Sequence, residues 1–347
     1  MTARLDLRVT VAGGGAVGWT VALALAQAGA RVTLADPAPL GDNASGVAAG
    51  MLAPVFETLF DAAPAHLGLL RRARDLWPAL AASIGLALQR TGAMAVGPPA
   101  ELDAWQASLA GAGADVIRLS PGEATERAPW LAPGLGAIWT DEDWRLEPMA
   151  ALAALRAAAE GAGVEAVARS VTGLDGADAL VIATGASRSL LALAPELSAL
   201  TPVKGQILCA PALRFDGPVA RMTGGYICPS PLGAVIGATM EAGRADRDID
   251  PATVARLRVL GAATAPAIAS AEITAAAGVR ATTPDRLPLV GAGRTPGVWL
   301  AAGARRNGWL LAPLIAEEIV RGLTGEGAEL LFDPVRFADR WQKTPLP

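Results

Sequence analysis

Apolar and polar positions near the start of the chain divide into three short elements. Residues 8–11 read as a buried strand, 17–28 as an apolar helix closed by Gly29, and 31–35 as a second strand ending at Asp36. This is a compact strand-helix-strand unit. Farther along, the pattern predicts helices over 69–80, over the alanine-rich stretch 149–160 and over 309–321. Strands are expected at 86–96, 116–119, 179–183, 203–209, 226–229, 235–240 and 298–302. Glycines and prolines, 39 and 26 of them, punctuate these apolar segments and form no low-complexity linker. No fixed-period repeat is visible.

Composition narrows the function. At 347 residues the chain is enzyme-sized and near two domains at roughly 150 residues each. Lys plus Arg number 29 against 33 Asp plus Glu, so a net charge of -4 leaves no basic excess for a phosphate backbone, and nucleic acid is excluded as a partner. Apolar residues make up 52% and mean hydropathy is +0.38, but Arg31, Arg156, Glu160, Glu317 and Glu318 interrupt the most apolar stretches. No uncharged run of about 20 residues is left to span a bilayer. Arg4, Asp6 and Arg8 precede the first strand where a signal peptide would need an apolar core, so a cytoplasmic protein is expected. The two cysteines, Cys209 and Cys228, and the single histidine, His66, argue against a disulfide framework or a metal cluster. A serine-histidine relay would have to use His66, which sits in an ordinary mixed segment. Any catalysis is therefore expected to rest on a bound cofactor.

Gly13, Gly15 and Gly18 form a G-x-G-x-x-G pattern, weak by itself in so glycine-rich a chain. Its setting makes it specific. It follows a strand and opens a helix, has small Ala22 where helix and sheet must pack, and meets Asp36 18 residues after Gly18. Glycines let backbone approach a pyrophosphate, the helix start at Ala16 and Val17 offers unpaired N–H groups, and Asp36 accepts from a ribose lacking a 2'-phosphate. The pattern alone does not separate NAD from FAD. Residues 41–54, including Ala44, Ser45, Gly50 and Met51, are small and lack a helical stripe, so they can lie flat against a planar ring or form a plain surface loop. Gly303, Arg305, Arg306, Asn307, Gly308 and Trp309 lie between a strand and a helix, where donors and a helix start suit the anionic edge of a reduced flavin.

Together with Ala183-Thr184-Gly185-Ala186, Val203-Lys204-Gly205-Gln206, Ile236-Gly237-Ala238-Thr239-Met240-Glu241 and residues 278–291, these stretches resemble the D-amino-acid oxidase family of FAD-dependent oxidoreductases, and within it the glycine oxidases most closely. The resemblance runs in order over nearly the whole chain. It implies an α/β fold: a Rossmann-like FAD-binding domain of the glutathione-reductase type, interrupted by an α+β substrate domain with a mixed or antiparallel sheet. The FAD domain would take residues 1–83, 145–200 and 277–347, and the substrate domain 84–144 and 201–276. FAD should be non-covalent, since the related sarcosine oxidases tether it through a late cysteine and none follows Cys228. Thr184 and Gly185 would join the cofactor site, and the backbone of Val171 would meet the adenine.

The resemblance also implies roles at the reacting end. Arg280 would clamp the substrate carboxylate, Tyr226 would bring a hydroxyl to the same cleft, Met51 and Met240 would form apolar walls, and Arg306 would guard the entrance. On the residues alone, Arg280 is a charge in an apolar strand that must find a partner, either a carboxylate ligand or an internal acid such as Asp285. Tyr226, the only tyrosine, also reads as a half-buried strand aromatic. The implied activity is oxidative deamination of a small amino acid, glycine first. Hydride passes to the flavin, the imine hydrolyses to a 2-oxo acid and ammonia, and O2 reoxidises the flavin to give peroxide. A D-amino-acid or sarcosine oxidase, or a dehydrogenase, is the alternative within the family. A non-catalytic FAD-binding protein would have lost the arginine and the ring-facing loop, and both are present. The implied partners are a small amino acid and O2, with no metal; a homo-oligomer is compatible with the sequence.

Overall fold

Two large sheets organise the computed structural model, which describes residues 5–61, 63–326 and 332–338. The parts of the expected FAD domain at 1–4, 62, 327–331 and 339–347 lie outside the described residues. The first sheet has six strands in the order Leu289–Ala292, Val298–Ala302, Ala179–Ile182, Arg8–Ala12, Arg31–Ala35, Glu165–Val167. All pairs are parallel except the edge strand Leu289–Ala292. Its central strands Ala179–Ile182 and Arg8–Ala12 are buried throughout, apart from Arg8, because both faces are covered. Helices Ala16–Gln27, Pro148–Gly161 and Gly308–Leu323 pack on one face, and Val171, Leu190 and Leu197 on the other.

The second sheet has nine strands, mostly antiparallel. Its longest strand, Thr201–Ala210, pairs with Thr274–Thr282 from Thr201 opposite Thr282 to Cys209 opposite Thr274. The chain therefore crosses between the two sheets after Thr282, and the expected boundary at residue 277 falls inside a strand. This matters because Arg280 lies on that strand and is thus presented from the second sheet toward the first.

Local departures from the pattern have physical causes. The helix expected over 69–80 is two helices, Leu67–Asp75 and Trp77–Ser83, because Pro78 has no N–H to continue the first and instead opens the second. Of the strand expected over 86–96, only Ala93–Gly97 joins the sheet; Gly92 turns the chain at φ +68, and Gln89 makes a lone bridge to Arg145. Helix Pro251–Thr264 gave no apolar stripe because it buries only Leu257, Gly261 and Thr264. Its readable sign was local: Asp250 caps it and Pro251 begins it.

Candidate active site

The loops at the carboxyl ends of strands Arg8–Ala12, Arg31–Ala35 and Ala179–Ile182 enclose a groove of about 700 Å3, where ligands of open parallel sheets bind. Expected residues Gly13, Gly15, Ala16, Val17, Asp36, Ala44, Ser45, Val171, Thr184, Gly185, Gly303, Arg305 and Gly308 all line it. Gly13 adopts φ +109, and a Cβ there would run into the Ala183 carbonyl. Helix Ala16–Gln27 begins without a side-chain cap from Gly15; the Ala16 N–H donates to Ser45 Oγ at 3.0 Å. Asp36 accepts from the Gly14 N–H at 2.6 Å and the Ala38 N–H at 2.8 Å, leaving lone pairs for ribose hydroxyls. A glycine cradle, an open helix start and a strand-end carboxylate fit FAD.

Six expected cofactor residues sit elsewhere. Gly18 is in the helix, where a Cβ would collide with the Gly13 carbonyl, so it sets packing rather than contact. Asn307 begins helix Gly308–Leu323, its carbonyl accepting from the Leu311 N–H at 2.8 Å. Gly50, Met51, Arg306 and Trp309 face a second cavity, adjacent to the groove, of about 360 Å3. Trp309 is nonetheless tied to the groove wall, its indole N–H donating to the Ser45 carbonyl at 3.1 Å. His66 ends the short turn Pro64–His66 and lines neither space. Both cysteines are free thiols outside the groove, and burial pushes Cys228 up to about 11, so it stays protonated.

The second cavity brings together Met51, Tyr226, Met240, Arg280 and Arg306. Arg280 also lines the groove and so forms the wall between the two spaces. Its guanidinium lies over Gly205 on the paired strand, where a Cβ would sit 2.6 Å from Cζ. Arg280 Nη1 donates to the Thr239 carbonyl at 3.3 Å and lies 3.3 Å from Met240 Sδ. It makes no ion pair among the described residues. The internal partner considered from sequence, Asp285, is taken by Arg336 at 2.8 Å. Burial, reinforced by the positive charges of Arg306 and Arg305, holds the Arg280 pKa below its ordinary value, which marks a cation short of a counter-charge. Tyr226 is buried beside Gly237, and desolvation pushes its phenol up to about 12, so it remains a neutral hydroxyl.

Sequence reasoning missed the charged floor of this cavity. Glu57 and Asp61 lie one turn apart along and just beyond helix Pro54–Phe60. Glu57 accepts from Arg221 at 2.9 Å and pairs with Arg306 Nε at 2.6 Å, while Asp61 pairs with Arg306 Nη1 at 3.1 Å and with Arg305. Arg306 is therefore fixed in the wall by two carboxylates. The Arg221 head lies 4.9 Å above the Phe60 ring and 3.7 Å from Met51 Sδ. Asp143 caps the helix through the N–H groups of Val55 and Phe56 at 2.8 and 3.0 Å. Burial raises Asp143 to about 7, although those N–H groups and Arg221 oppose the shift.

A further missed group steadies Arg280 from behind. Thr239 Oγ1 donates to Glu241 at 2.6 Å and accepts from the Gln206 N–H at 2.9 Å, while Gln206 Nε2 donates to Glu241 at 2.8 Å. These bonds fix the carbonyl that receives Arg280. Gly205 and Gln206 stand in one of the family-like stretches, so a signal for them existed, though not for what they touch.

Comparison with known proteins establishes the family. Residues 8–321 match the FAD dependent oxidoreductase (DAO) family. Glycine oxidase of Geobacillus kaustophilus is 32% identical over 90% of this chain and 91% of its own length. The bifunctional protein MnmC of tRNA 5-methylaminomethyl-2-thiouridine biosynthesis from Thiobacillus denitrificans is 31% identical over 95% of the chain, which spans 59% of that larger protein. The crystal structure of glycine oxidase from Geobacillus kaustophilus superposes with a TM-score of 0.82, covering 95% of this chain and 99% of that one at 28% identity. No helix among the described residues is long and apolar enough to cross a membrane. With its glycine-lined groove, its strand-end Asp36 and this match along almost all of its length, the chain belongs to the FAD dependent oxidoreductase family and is an FAD-binding oxidoreductase related to glycine oxidase.

Proposed function

We propose that this enzyme oxidises the C–N bond of a small amino acid, with glycine or N-methylglycine the first candidates, to an imine that hydrolyses to a 2-oxo acid and an amine or ammonia. One observation carries the reading: Arg280, without a carboxylate partner among the described residues, forms the wall shared by the cofactor groove and the cavity. A planar guanidinium in that position suits bidentate capture of a carboxylate. Bound FAD supplies the two-electron acceptor, with O2 as the terminal oxidant giving peroxide.

The chain's own residues bind and orient. Arg280 holds the α-carboxylate, and the neutral Tyr226 hydroxyl offers a hydrogen bond in the same cavity. Met51 and Met240 supply apolar walls to the cavity. Glu57 is held between Arg221 and Arg306 and is poorly suited to act as a base, and His66 lies outside the cavity. The amine must therefore arrive neutral, with its lone pair available, and reduction should accelerate as pH rises toward the amine's own pKa.

The test is anaerobic mixing of the holoenzyme with glycine, N-methylglycine and D- and L-amino acids, following flavin bleaching, with peroxide measured under air. Bleaching by at least one of these amines with peroxide under air supports the reading. Bleaching without peroxide makes the enzyme a dehydrogenase, and no bleaching by any amine overturns amine oxidation.

A further inference from the structure

The cavity is more positive than a simple amino acid needs. Four arginines line the space, Arg221, Arg256, Arg280 and Arg306, against the single carboxylate of Glu57. Glu57 is shared by Arg221 and Arg306, and Asp61 adds a second partner for Arg306. That leaves Arg280 at the groove wall and Arg256 with no ion pair among the described residues. Arg256 stands exposed on helix Pro251–Thr264 and lines this cavity but not the groove, so it belongs to the rim.

A positive cleft in a chain of net charge -4 favours anions within it, because low-dielectric walls focus the field of the unpaired cations. Glycine, arriving with its amine neutral, carries a single negative charge, which Arg280 alone can match. Gly224, Gly225 and Met240 also line the cavity, small or apolar groups that accept a substrate's connecting atoms without competing for its charges.

We propose that the physiological substrate is an amino acid bearing a second carboxylate, which Arg256 binds at the cavity rim while Arg280 holds the α-carboxylate. This rests on the amine-oxidation reading and deepens it by naming a dianionic substrate class. Arg256 is then a specificity-determining residue; it does not touch the reacting bond.

The experiment compares N-carboxymethylglycine with its near-isosteric amide, N-carbamoylmethylglycine, in anaerobic reduction of the holoenzyme. The diacid should be favoured about tenfold or more in kred/Kd, and raising the ionic strength should shrink that ratio. In Arg256→Gln the ratio should fall to within about threefold. A wild-type ratio near one, or a ratio unchanged in Arg256→Gln, overturns the proposal. A second measurement does not depend on oxidation: perturbation of the flavin spectrum by diglycolate, against methoxyacetate with its single carboxylate. Tighter diglycolate binding that is lost in Arg256→Gln supports the rim site even if no amine bleaches the flavin, an outcome that would overturn only the amine-oxidation reading. Equal binding of the two acids overturns the rim site even if glycine is oxidised.

Discussion

On one side of Arg280 the chain presents backbone, and on the other it presents side chains. The groove is shaped by Gly13, by the start of helix Ala16–Gln27 and by Asp36 at a strand end, all within one stretch of the first sheet. The cavity is shaped by Glu57, Asp61, Arg221 and Arg306, whose bonds join residues 164 to 249 positions apart. A groove built from local backbone suits a cofactor whose pyrophosphate is constant, whereas a cavity built from distant side chains can change its substrate one residue at a time. It also follows that damage to one should leave the other largely intact.

The largest effect is expected in the charged floor. Glu57→Ala leaves Arg221 buried without its partner, and breaking such a pair costs about 3–5 kcal/mol. Denaturant unfolding of the holoenzyme should report that loss, and Glu57→Gln should lose less. Stability within about 1 kcal/mol of wild type would mean that the cluster relaxes or is hydrated once opened.

Asp143 adds a pH dependence to the same region. In the folded chain its carboxyl keeps its proton up to about 7, whereas its ordinary value is 3.8. Between those values the folded state binds more protons, so this group's contribution to stability is fullest at low pH and falls as pH rises from about 4 through about 7. The slope is at most about 1.4 kcal/mol per pH unit. Melting temperatures of wild type and Asp143→Asn over that range should diverge in slope, with wild type losing more on the alkaline side. Parallel profiles would mean that the N–H groups of Val55 and Phe56 keep the carboxylate ionised.

In the groove, Asp36→Ala should weaken FAD binding by the order of one charge-assisted bond, about 1.5–3 kcal/mol, or roughly ten- to 150-fold in FAD dissociation constant. Amine oxidation by the FAD-saturated variant should stay near wild type. The smallest effect is expected at the boundary. Gly205→Ala puts a methyl group against the Arg280 guanidinium, and displacing that head should lower kcat/KM about tenfold, near 1.4 kcal/mol, with FAD affinity unchanged. Loss of FAD in this variant would show that the two spaces are less separable than their construction implies.

What could be read from sequence follows the same division. Gly13, Gly15 and Asp36 announce the groove because a pyrophosphate site needs glycine and an acid at fixed spacing within one strand-helix-strand unit. The family resemblance carried Arg280, Tyr226, Met51 and Met240 to the cavity they line. The Glu57 cluster stayed hidden because an acid in an amphipathic helix ordinarily faces water, and nothing local announces partners on distant strands and loops. Pro251–Thr264, the helix that carries Arg256, was missed for a different reason: an alanine-rich helix that buries few apolar residues shows no stripe. The strand Thr274–Thr282 was recognised for its chemistry but divided at residue 277, since the switch between sheets leaves no mark in the hydrophobic pattern.

The central claim is that Arg280 serves the substrate carboxylate while backbone and Asp36 hold the cofactor. Its most direct test is anaerobic flavin reduction by glycine or N-methylglycine in Arg280→Ala and Arg280→Lys, with FAD dissociation constants measured on the same preparations. Losing one partner of a buried charge pair costs about 2–5 kcal/mol, so kred/Kd should fall roughly thirty-fold to a few thousand-fold in the alanine variant. The lysine variant should also be impaired, because an ammonium cannot reproduce the planar clamp, and both should retain FAD within about threefold. Near-normal reduction in both variants, or a loss of FAD that parallels the loss of reduction, would contradict the account.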